Sequence, residues 1–212
     1  MSNRRFHLHI MLLGALLIGT LVLAACSRSE SPSEYKTLTV RNYIANFSFE
    51  YRAYYNDLDG PGIEDSASNR FTYVDILAPK TYETMGNPEP GGDGTVDMTY
   101  VPAYIEISAA DAQKYPTRPA AVRINDSISN WGKWPHFQLL EHSNVTVSGV
   151  QAELIAYQVD GFFVGPDLEY CTKLSFDYNG LQWDIESEAG INMSAMIRAD
   201  FDHVVETFKI LE

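Results

Sequence analysis

Acidic side chains are concentrated in one short stretch of the chain. Residues 56–65 read Asn-Asp-Leu-Asp-Gly-Pro-Gly-Ile-Glu-Asp. Calcium takes several hard oxygen ligands from a flexible loop, so this stretch is a weak candidate for a calcium site. It lacks the EF-hand pattern, because proline and glycine follow its first glycine and no glutamate stands at the twelfth position. We favour a solvated acidic turn, since Asp, Gly and Pro commonly mark turns. The candidate ligands are Asn56, Asp57, Asp59, Glu64 and Asp65.

A second pair of carboxylates occurs in the late part of the chain. Asp184 and Glu186 alternate onto one face of a predicted strand, which places them about 6.6 Å apart. That separation is near the range of the paired carboxylates of glycosidases. Any polar strand face shows the same spacing. The pair therefore supports only the alternative hypothesis of a hydrolase acting on envelope or extracellular substrates.

Cysteine and histidine offer little further chemistry. Cys171 shares a predicted strand face with Glu169 and Lys173, without a visible base, and we interpret it as a structural thiol. His136 and His142 would face the same way on one strand, but about 20 Å apart, too far to share a metal. No serine-hydrolase, zinc-protease or phosphate-loop motif occurs. We expect no cofactor, no zinc site and no catalytic residue.

Tyrosines are concentrated in the first half of the chain. Tyrosine has an apolar body and a polar tip, which suits a binding face or a sugar platform. It suits the packing of a β-sheet equally well, and we favour that interpretation. The residues are Tyr43, Tyr51, Tyr54, Tyr55, Tyr100 and Tyr104.

Alternating apolar and polar positions predict a sheet of many strands. Some of these strands are apolar on both faces, so the sheet must be covered on both sides. Asn179 and Gly180 predict a type I′ turn, which favours antiparallel pairing. The predicted strands are residues 38–40, 47–53, 71–77, 100–108, 137–141, 150–159, 168–176 and 181–186.

Helices are predicted to cover the faces of this sheet. After Asn192, a candidate N-cap, apolar residues recur every three or four positions as far as about Phe208. A weaker helix is predicted over residues 117–131, with Pro119 in its first turn. Ser108 and Asp111 suggest a further short capped turn. The sequence therefore predicts an α+β fold, a largely antiparallel sheet covered by helices.

Charge restricts the classes of partner. The chain has 15 basic and 28 acidic residues, a formal net charge of −13. Residues 1–25 hold two of the basic residues, Arg4 and Arg5, and no acidic one, so the remainder carries −15. Such a surface repels phosphate backbones and anionic lipid head groups. We expect no nucleic-acid partner, and with only Cys26 and Cys171 we expect neither a disulfide framework nor a thiolate metal cluster.

The N-terminus has the pattern of an export signal. Arg4 and Arg5 precede an uncharged apolar run over residues 10–25, which is short for a membrane span. The run closes on Leu23-Ala24-Ala25-Cys26, which resembles the lipobox of bacterial lipoproteins. The resemblance implies that residues 1–25 are removed and that Cys26 is lipidated. Residues 26–37 then form a flexible serine-rich tether and residues 38–212 a single domain.

Several segments resemble the PsbP-like domains, which include the extrinsic photosystem II subunit and a Ran-binding import factor. They are Phe-Ser-Phe-Glu-Tyr at residues 47–51, Val-Gln-Ala-Glu-Leu-Ile-Ala-Tyr at 150–157, the hairpin over 174–185, and a closing helix that ends Val-Glu-Thr-Phe-Lys-Ile at 205–210. The resemblance covers about residues 38–212. It implies an α/β/α sandwich with an adaptor or binding role.

Together these features predict a non-enzymatic lipoprotein outside the cytoplasm of a bacterium. Lipid on Cys26 would anchor it to the cell membrane or envelope. Its domain would bind an envelope protein or a small ligand.

Overall fold

The computed structural model describes residues 34–55, 57–67, 69–79, 81–86, 95–100, 103–114, 118–160 and 168–212. The predicted signal peptide, Cys26 and most of the tether lie outside them. Residues 34–212 form one compact unit, and the first strand begins at Tyr35, three residues before the predicted start of the domain.

The strands are β1 (Tyr35–Arg41), β2 (Asn46–Arg52), β3 (Asp57–Asp65), β4 (Arg70–Leu77), β5 (Thr81–Gly86), β6 (Thr95–Tyr100), β7 (Ala103–Asp111), β8 (Gln138–Val147), β9 (Val150–Asp160), β10 (Leu168–Tyr178), β11 (Leu181–Gly190) and β12 (Lys209–Ile210). The helices are α1 (Ala120–Trp131), a 3₁₀ turn (Ile191–Met193) and α2 (Ser194–Thr207).

The described strands form three antiparallel sheets. The largest has seven strands in the order β3-β4-β7-β11-β10-β9-β8. β1, β2 and β12 form a three-stranded sheet, with β2 in the middle, and β5 pairs with β6. Each pairing is antiparallel, as short connections between successive strands favour.

The main core lies between the two larger sheets and α2. Phe47 and Phe49 alternate inward from β2, and Ile197 and Phe201 recur at helical spacing on α2. Trp183 of β11 is fully enclosed among aromatic rings: it stacks on Phe176 with ring centroids 5.8 Å apart and meets Phe47 and Phe208 edge-on. Aromatic packing of this kind adds to the burial of apolar area.

A second, smaller core covers the opposite face of the seven-stranded sheet. Ile124 of α1 is fully buried and packs with Ile155, Tyr157, Val159 and Cys171. Since Leu154 and Ile155 are neighbours on β9 and belong to different cores, the two helices cover opposite faces of the sheet. This confirms the predicted α+β class and largely antiparallel sheet covered by helices.

The late hairpin follows its prediction. β10 and β11 pair from Glu169 with Gly190 to Tyr178 with Leu181. Asn179 and Gly180 both have positive φ angles, 51° and 76°, as a type I′ turn requires.

Several element predictions were wrong. Residues 57–65 form strand β3 rather than a turn, at an edge of the sheet, where a proline without an N–H is tolerated. The hairpin of β5 and β6 was not predicted, and the predicted strand 100–108 is split between β6 and β7. Ser108 and Asp111 lie inside β7, so they cap no turn, because pairing with β11 continues to Asp111.

The helix starts also differ from the predictions. α1 begins at Ala120 rather than at the predicted residue 117. Pro119 has an extended backbone (ψ 150°), so it is not part of the helix. Asn192 lies within the 3₁₀ turn, and no side chain caps α2. No helix in the described ranges is long and apolar enough to cross a membrane.

Candidate functional site on the acidic face

The face of the seven-stranded sheet away from the main core is rich in carboxylates. On β11 the side chains of Trp183 and Ile185 enter the main core, so those of Asp184, Glu186 and Glu188 point to the other face. Strand register places further acids beside them. We call this set the acidic face: Asp75, Glu106, Glu169, Asp184, Glu186 and Glu188.

One row of the acidic face crosses four strands. Asp75 is paired in register with Glu106, Glu106 with Glu186, and Glu186 with Lys173. Burial, then the neighbouring carboxylates of Glu186 and Asp75, raises the pKa of Glu106 to about 7. Burial, then Asp59, raises the pKa of Asp75 to about 6. Like charges in adjacent register are unfavourable, so this row favours protonation of Asp75 and Glu106.

Lys173 neutralises only one end of that row. Its ammonium is bonded to Glu186 and lies 3.9 Å from Asp184. Arg123 of α1 lies 3.5 Å from Asp184 and also donates to the carbonyl oxygens of Phe176 and Trp183. The two basic groups are therefore engaged at one side of the acidic face.

The next row along the strands carries aromatic and sulfur groups. Tyr104 is paired in register with Glu188, Glu188 with Cys171, and Cys171 with Tyr157. The Tyr104 hydroxyl donates to Glu188 Oε2 over 2.9 Å. Burial, then the nearby carboxyl of Glu169, raises the pKa of Glu188 to about 8. The carboxylate oxygens of Glu169 and Glu188 and the sulfur of Cys171 all lie within 4.8 Å of one another.

Cys171 occupies the strand face on which the sequence placed it. It shares that face with Glu169 and Lys173, and it is 5% exposed. Burial, then the charges of Glu188 and Glu169, raises the pKa of the thiol far above its usual range. A thiol held neutral in this way is a poor nucleophile.

Asp184 and Glu186 lie on one face, as the hydrolase hypothesis requires. Ser175 donates to Asp184, whereas Glu186 is bonded to Lys173. Clefts lined by described residues include three with volumes of about 580, 260 and 280 Å³, and neither carboxylate lines any of these three. None of the three would therefore bring a substrate to this pair.

The candidate calcium ligands are distributed along a strand. Glu64 and Asp65 are consecutive on β3, so they point to opposite faces. Asp65 accepts hydrogen bonds from Arg70 and Lys114, which lower its pKa, and Glu64 accepts one from Asn69. Asp59 faces Asp75 across the pairing with β4. Asn56 and the side chain of Asp57 lie outside the described residues, and the described carboxylates do not converge.

The three histidines among the described residues each lie beside a different carboxylate. His136 precedes β8, which holds His142, so the two do not share a strand, and Nδ1 of His136 lies 2.6 Å from Asp160 Oδ1. A register shift between Leu139 and Glu141 further separates their orientations. The other two pairs are His142 with Glu153 at 3.2 Å and His203 with Glu50 at 3.3 Å.

The tyrosines form no single platform among the described residues. Tyr51 and Tyr55 are buried in the main core, as sheet packing predicts, whereas Tyr43 is 66% exposed. Tyr54 is exposed, Tyr104 belongs to the acidic face, and the side chain of Tyr100 lies outside the described part.

Three members of the acidic face, Asp75, Glu106 and Glu188, were not predicted, and Glu169 was predicted beside Cys171 and Lys173 but not in an acidic cluster. Asp75 and Glu106 each lie between two apolar residues of a strand, which is a visible signal, whereas Glu188 lies between Ser187 and Ala189. Their convergence depends on strand order and register, because β7 and β11 are neighbours in the sheet but far apart in sequence.

Comparisons with known proteins give no assignment. No protein-family model and no curated protein sequence matches the chain. Solved structures with some likeness include LpqN of Mycobacterium tuberculosis, described as involved in cell envelope biogenesis: it is 10% identical, with a TM-score of 0.44, over 85% of this chain and 93% of that one. Another is PA94 of Pseudomonas aeruginosa, a protein of unknown function, which is 12% identical, with a TM-score of 0.40, over 78% of this chain and 91% of that one. A third is the cyanobacterial PsbP of Synechocystis sp. PCC 6803, which is 10% identical, with a TM-score of 0.41, over 86% of this chain and 96% of that one. TM-scores below 0.5 at these identities assign neither family nor function.

Proposed function

We propose that this chain is a membrane-anchored lipoprotein outside the cytoplasm of a bacterium, with a PsbP-like domain that binds an envelope protein or a small ligand. The observation that carries the proposal is Leu23-Ala24-Ala25-Cys26 at the end of an uncharged apolar run behind two arginines. Acyl chains on Cys26 would hold the domain at a bilayer, because each buried CH₂ contributes about 0.8 kcal/mol.

The tether would set the reach of the domain. Eight residues, 27–34, separate Cys26 from the first residue of β1, Tyr35. Fully extended, the nine Cα–Cα steps from Cys26 to Tyr35 span at most about 32 Å. A domain confined in this way meets membrane-bound partners at a high effective concentration. Anchoring would therefore be part of the mechanism, since it raises the occupancy of a weak binding site.

Binding is favoured over catalysis by the state of the reactive groups. Asp184 and Glu186 are engaged by Ser175 and Lys173 respectively. The thiol of Cys171 is buried and lies beside its register partner Tyr157. A hydrolase using Asp184 and Glu186 remains the alternative, and loss of hydrolysis in Glu186→Gln would be its signature.

The anchoring proposal predicts a specific modification. The full chain, expressed in a bacterial host, is expected in the membrane fraction with the mass of residues 26–212 plus a lipid. Cys26→Ser should abolish the lipid, because the acceptor sulfur is gone, and should release the domain or leave residues 1–25 attached. Intact mass spectrometry of the detergent-extracted protein measures both outcomes.

Cys171→Ser is the matched control, since it removes the other cysteine, which is buried in the sheet. It should be lipidated like the unmodified chain. An unmodified Cys26 in the membrane-extracted protein, or retention of residues 1–25, would contradict the proposal.

The binding role needs a separate experiment. The Cys26→Ser domain lacking residues 1–25 would be incubated with a detergent extract of its own cell envelope and examined by native mass spectrometry. A retained protein supports an adaptor, and a retained small molecule supports a ligand-binding lipoprotein. Hydrolysis of envelope material without a retained species would favour the alternative.

A further inference from the structure

We propose that Glu169, Cys171 and Glu188 form a binding site for one divalent cation of the zinc type. The three donor groups converge from two neighbouring strands, with all donor atoms within 4.8 Å of one another. This site is independent of the lipid anchor and of the proposed partner.

Burial is what distinguishes this cluster from ordinary surface acids. Glu169 is 2% exposed, Cys171 5% and Glu188 9%. Ionised carboxylates are costly to bury unless they are paired or bind a metal. None of the ion pairs of the described residues involves Glu188, and Lys173, on the same face, is engaged by Glu186.

One carboxylate oxygen of the cluster has no hydrogen-bond donor among the described residues. The donor oxygens of Glu188 and Glu169 lie within 4.8 Å of each other. Glu188 Oε1 is buried and has no hydrogen-bond donor among the described residues, while Oε2 accepts from Tyr104. An ionised carboxylate only accepts hydrogen bonds, so a proton or a cation at Glu188 Oε1 would satisfy this oxygen.

The chemistry of the donors selects the kind of cation. Zinc binds cysteine sulfur and carboxylate oxygen at about 2.0–2.3 Å in tetrahedral geometry, which places donors about 3.3–3.8 Å apart. The donor atoms, which lie within 4.8 Å of one another, would therefore have to approach by up to about 1–1.5 Å when the cation binds. Calcium and magnesium prefer oxygen donors alone, so the sulfur disfavours them.

Neighbouring groups would orient the ligands. The Tyr104 hydroxyl donates a hydrogen bond to Glu188, and Tyr157 packs beside Cys171 as its register partner. Partners of this kind fix the orientation of metal ligands. Because the three ligands are nearly enclosed, the cation would be taken up most readily during folding.

The test uses the full chain with Cys26→Ser, so that Cys171 is the one remaining thiol. The protein is unfolded, refolded with equimolar Zn²⁺ or Cd²⁺ or with chelator alone, and freed of loose metal. We expect one metal per chain, a thiolate-to-cadmium ultraviolet absorption band, and a higher melting temperature with zinc than with chelator.

Two ligand variants and one control make the result specific. Cys171→Ser should lose the cadmium band, and Glu188→Gln should weaken zinc binding by more than about tenfold. Glutamine keeps an acceptor for Tyr104 and removes a charge, so this variant should fold. Glu153→Gln, which alters the surface pair with His142, should bind metal as the parent does.

The alternative occupant of the cluster is a shared proton. No bound metal and equal melting temperatures with zinc and chelator would establish that alternative and overturn the proposal. A stoichiometric metal that survives both Cys171→Ser and Glu188→Gln would place the site elsewhere and also overturn it. Loss of lipidation at Cys26 has no bearing on these outcomes.

Discussion

Asp200→Ala is expected to lower the free energy of unfolding by about 3–5 kcal/mol, the range found when one partner of a buried ion pair is removed. Asp200 is 2% exposed on the inner face of α2. It accepts a hydrogen bond from Arg52 Nε over 2.8 Å and one from the Tyr55 hydroxyl over 2.9 Å. Alanine would leave both donors without their acceptor. Urea unfolding at neutral pH measures the change.

The expected loss is large because Tyr55 is fully enclosed. Burial, then the charge of Asp200, raises the pKa of Tyr55 far above its usual range, so its hydroxyl always carries a proton to donate. A buried hydroxyl without an acceptor costs about 1–3 kcal/mol. Arg52 is partly exposed and can recover some hydration. Tyr55 therefore accounts for part of the loss, and the unpaired charge of Arg52 for the rest.

Variants on the same helix test this explanation. Asp200→Asn keeps the shape and one acceptor, so its loss should be smaller than that of alanine. Asp202→Ala removes an exposed carboxylate that pairs with Arg198 and should cost under about 1 kcal/mol. If Asp200→Ala and Asp202→Ala were equally mild, the proposed role of the buried pair would be contradicted.

Asp200 also shows what the sequence pattern conceals. Ile197, Phe201 and Val204 form an apolar stripe that correctly predicts a buried helix face. Asp200 lies on that same face, three residues after Ile197, and hydropathy alone would assign a charged residue to the solvent. Its partners lie about 150 residues away along the chain, so only tertiary packing explains its burial.

Strands were predictable where alternation was strong and turn chemistry was clear. Phe47, Phe49 and Tyr51 alternate with polar residues in β2, and Asn179 and Gly180 mark the hairpin of β10 and β11. β3 was missed because Gly60, Pro61 and Gly62 have low strand propensity. Its position at the sheet edge, and the ring of Tyr73 over Gly62, override that propensity.

The acidic face marks the limit of prediction for the site. Each strand shows its own alternation, but sequence gives neither the order of the strands nor the residue that lies opposite each acid. Glu106 and Glu186 are 80 positions apart and become register partners only in the folded sheet. The raised pKa of Glu106 therefore follows from topology rather than from any local motif.

That topology predicts a protein less stable at pH 8 than at pH 5. The groups facing Glu106 are Asp75 on β4, Glu186 and Asp184 on β11, and Lys173 on β10. Burial and the acidic neighbours together outweigh Lys173 and raise the pKa of Glu106 from 4.5 to about 7. The folded state then binds a proton that the unfolded state releases. This stabilising contribution is complete below about pH 4.5 and is lost as pH rises through 7.

Asp75, with a pKa raised to about 6, acts in the same direction over a lower range. The carboxyls of Asp65 and Glu141, whose pKa values are lowered by basic partners, act in the opposite direction, but only below about pH 4.5. Glu188, with a pKa raised to about 8, also acts in the same direction between pH 5 and pH 8. The contribution of Glu106 is therefore isolated by comparing the parent with a Glu106 variant over this interval.

Glu106→Gln is expected to raise the free energy of unfolding at pH 8 by about 2 kcal/mol and to leave it little changed at pH 5. One pKa unit corresponds to about 1.4 kcal/mol, and partial exposure reduces the full value. Glutamine replaces an acid that must ionise in the sheet with a neutral group of the same shape. Urea unfolding in chelator across this range measures the slope, with exposed Glu206→Gln as the control. If the parent and Glu106→Gln showed the same pH slope, another group would govern the pH dependence, and the inferred protonation of the acidic face would be wrong.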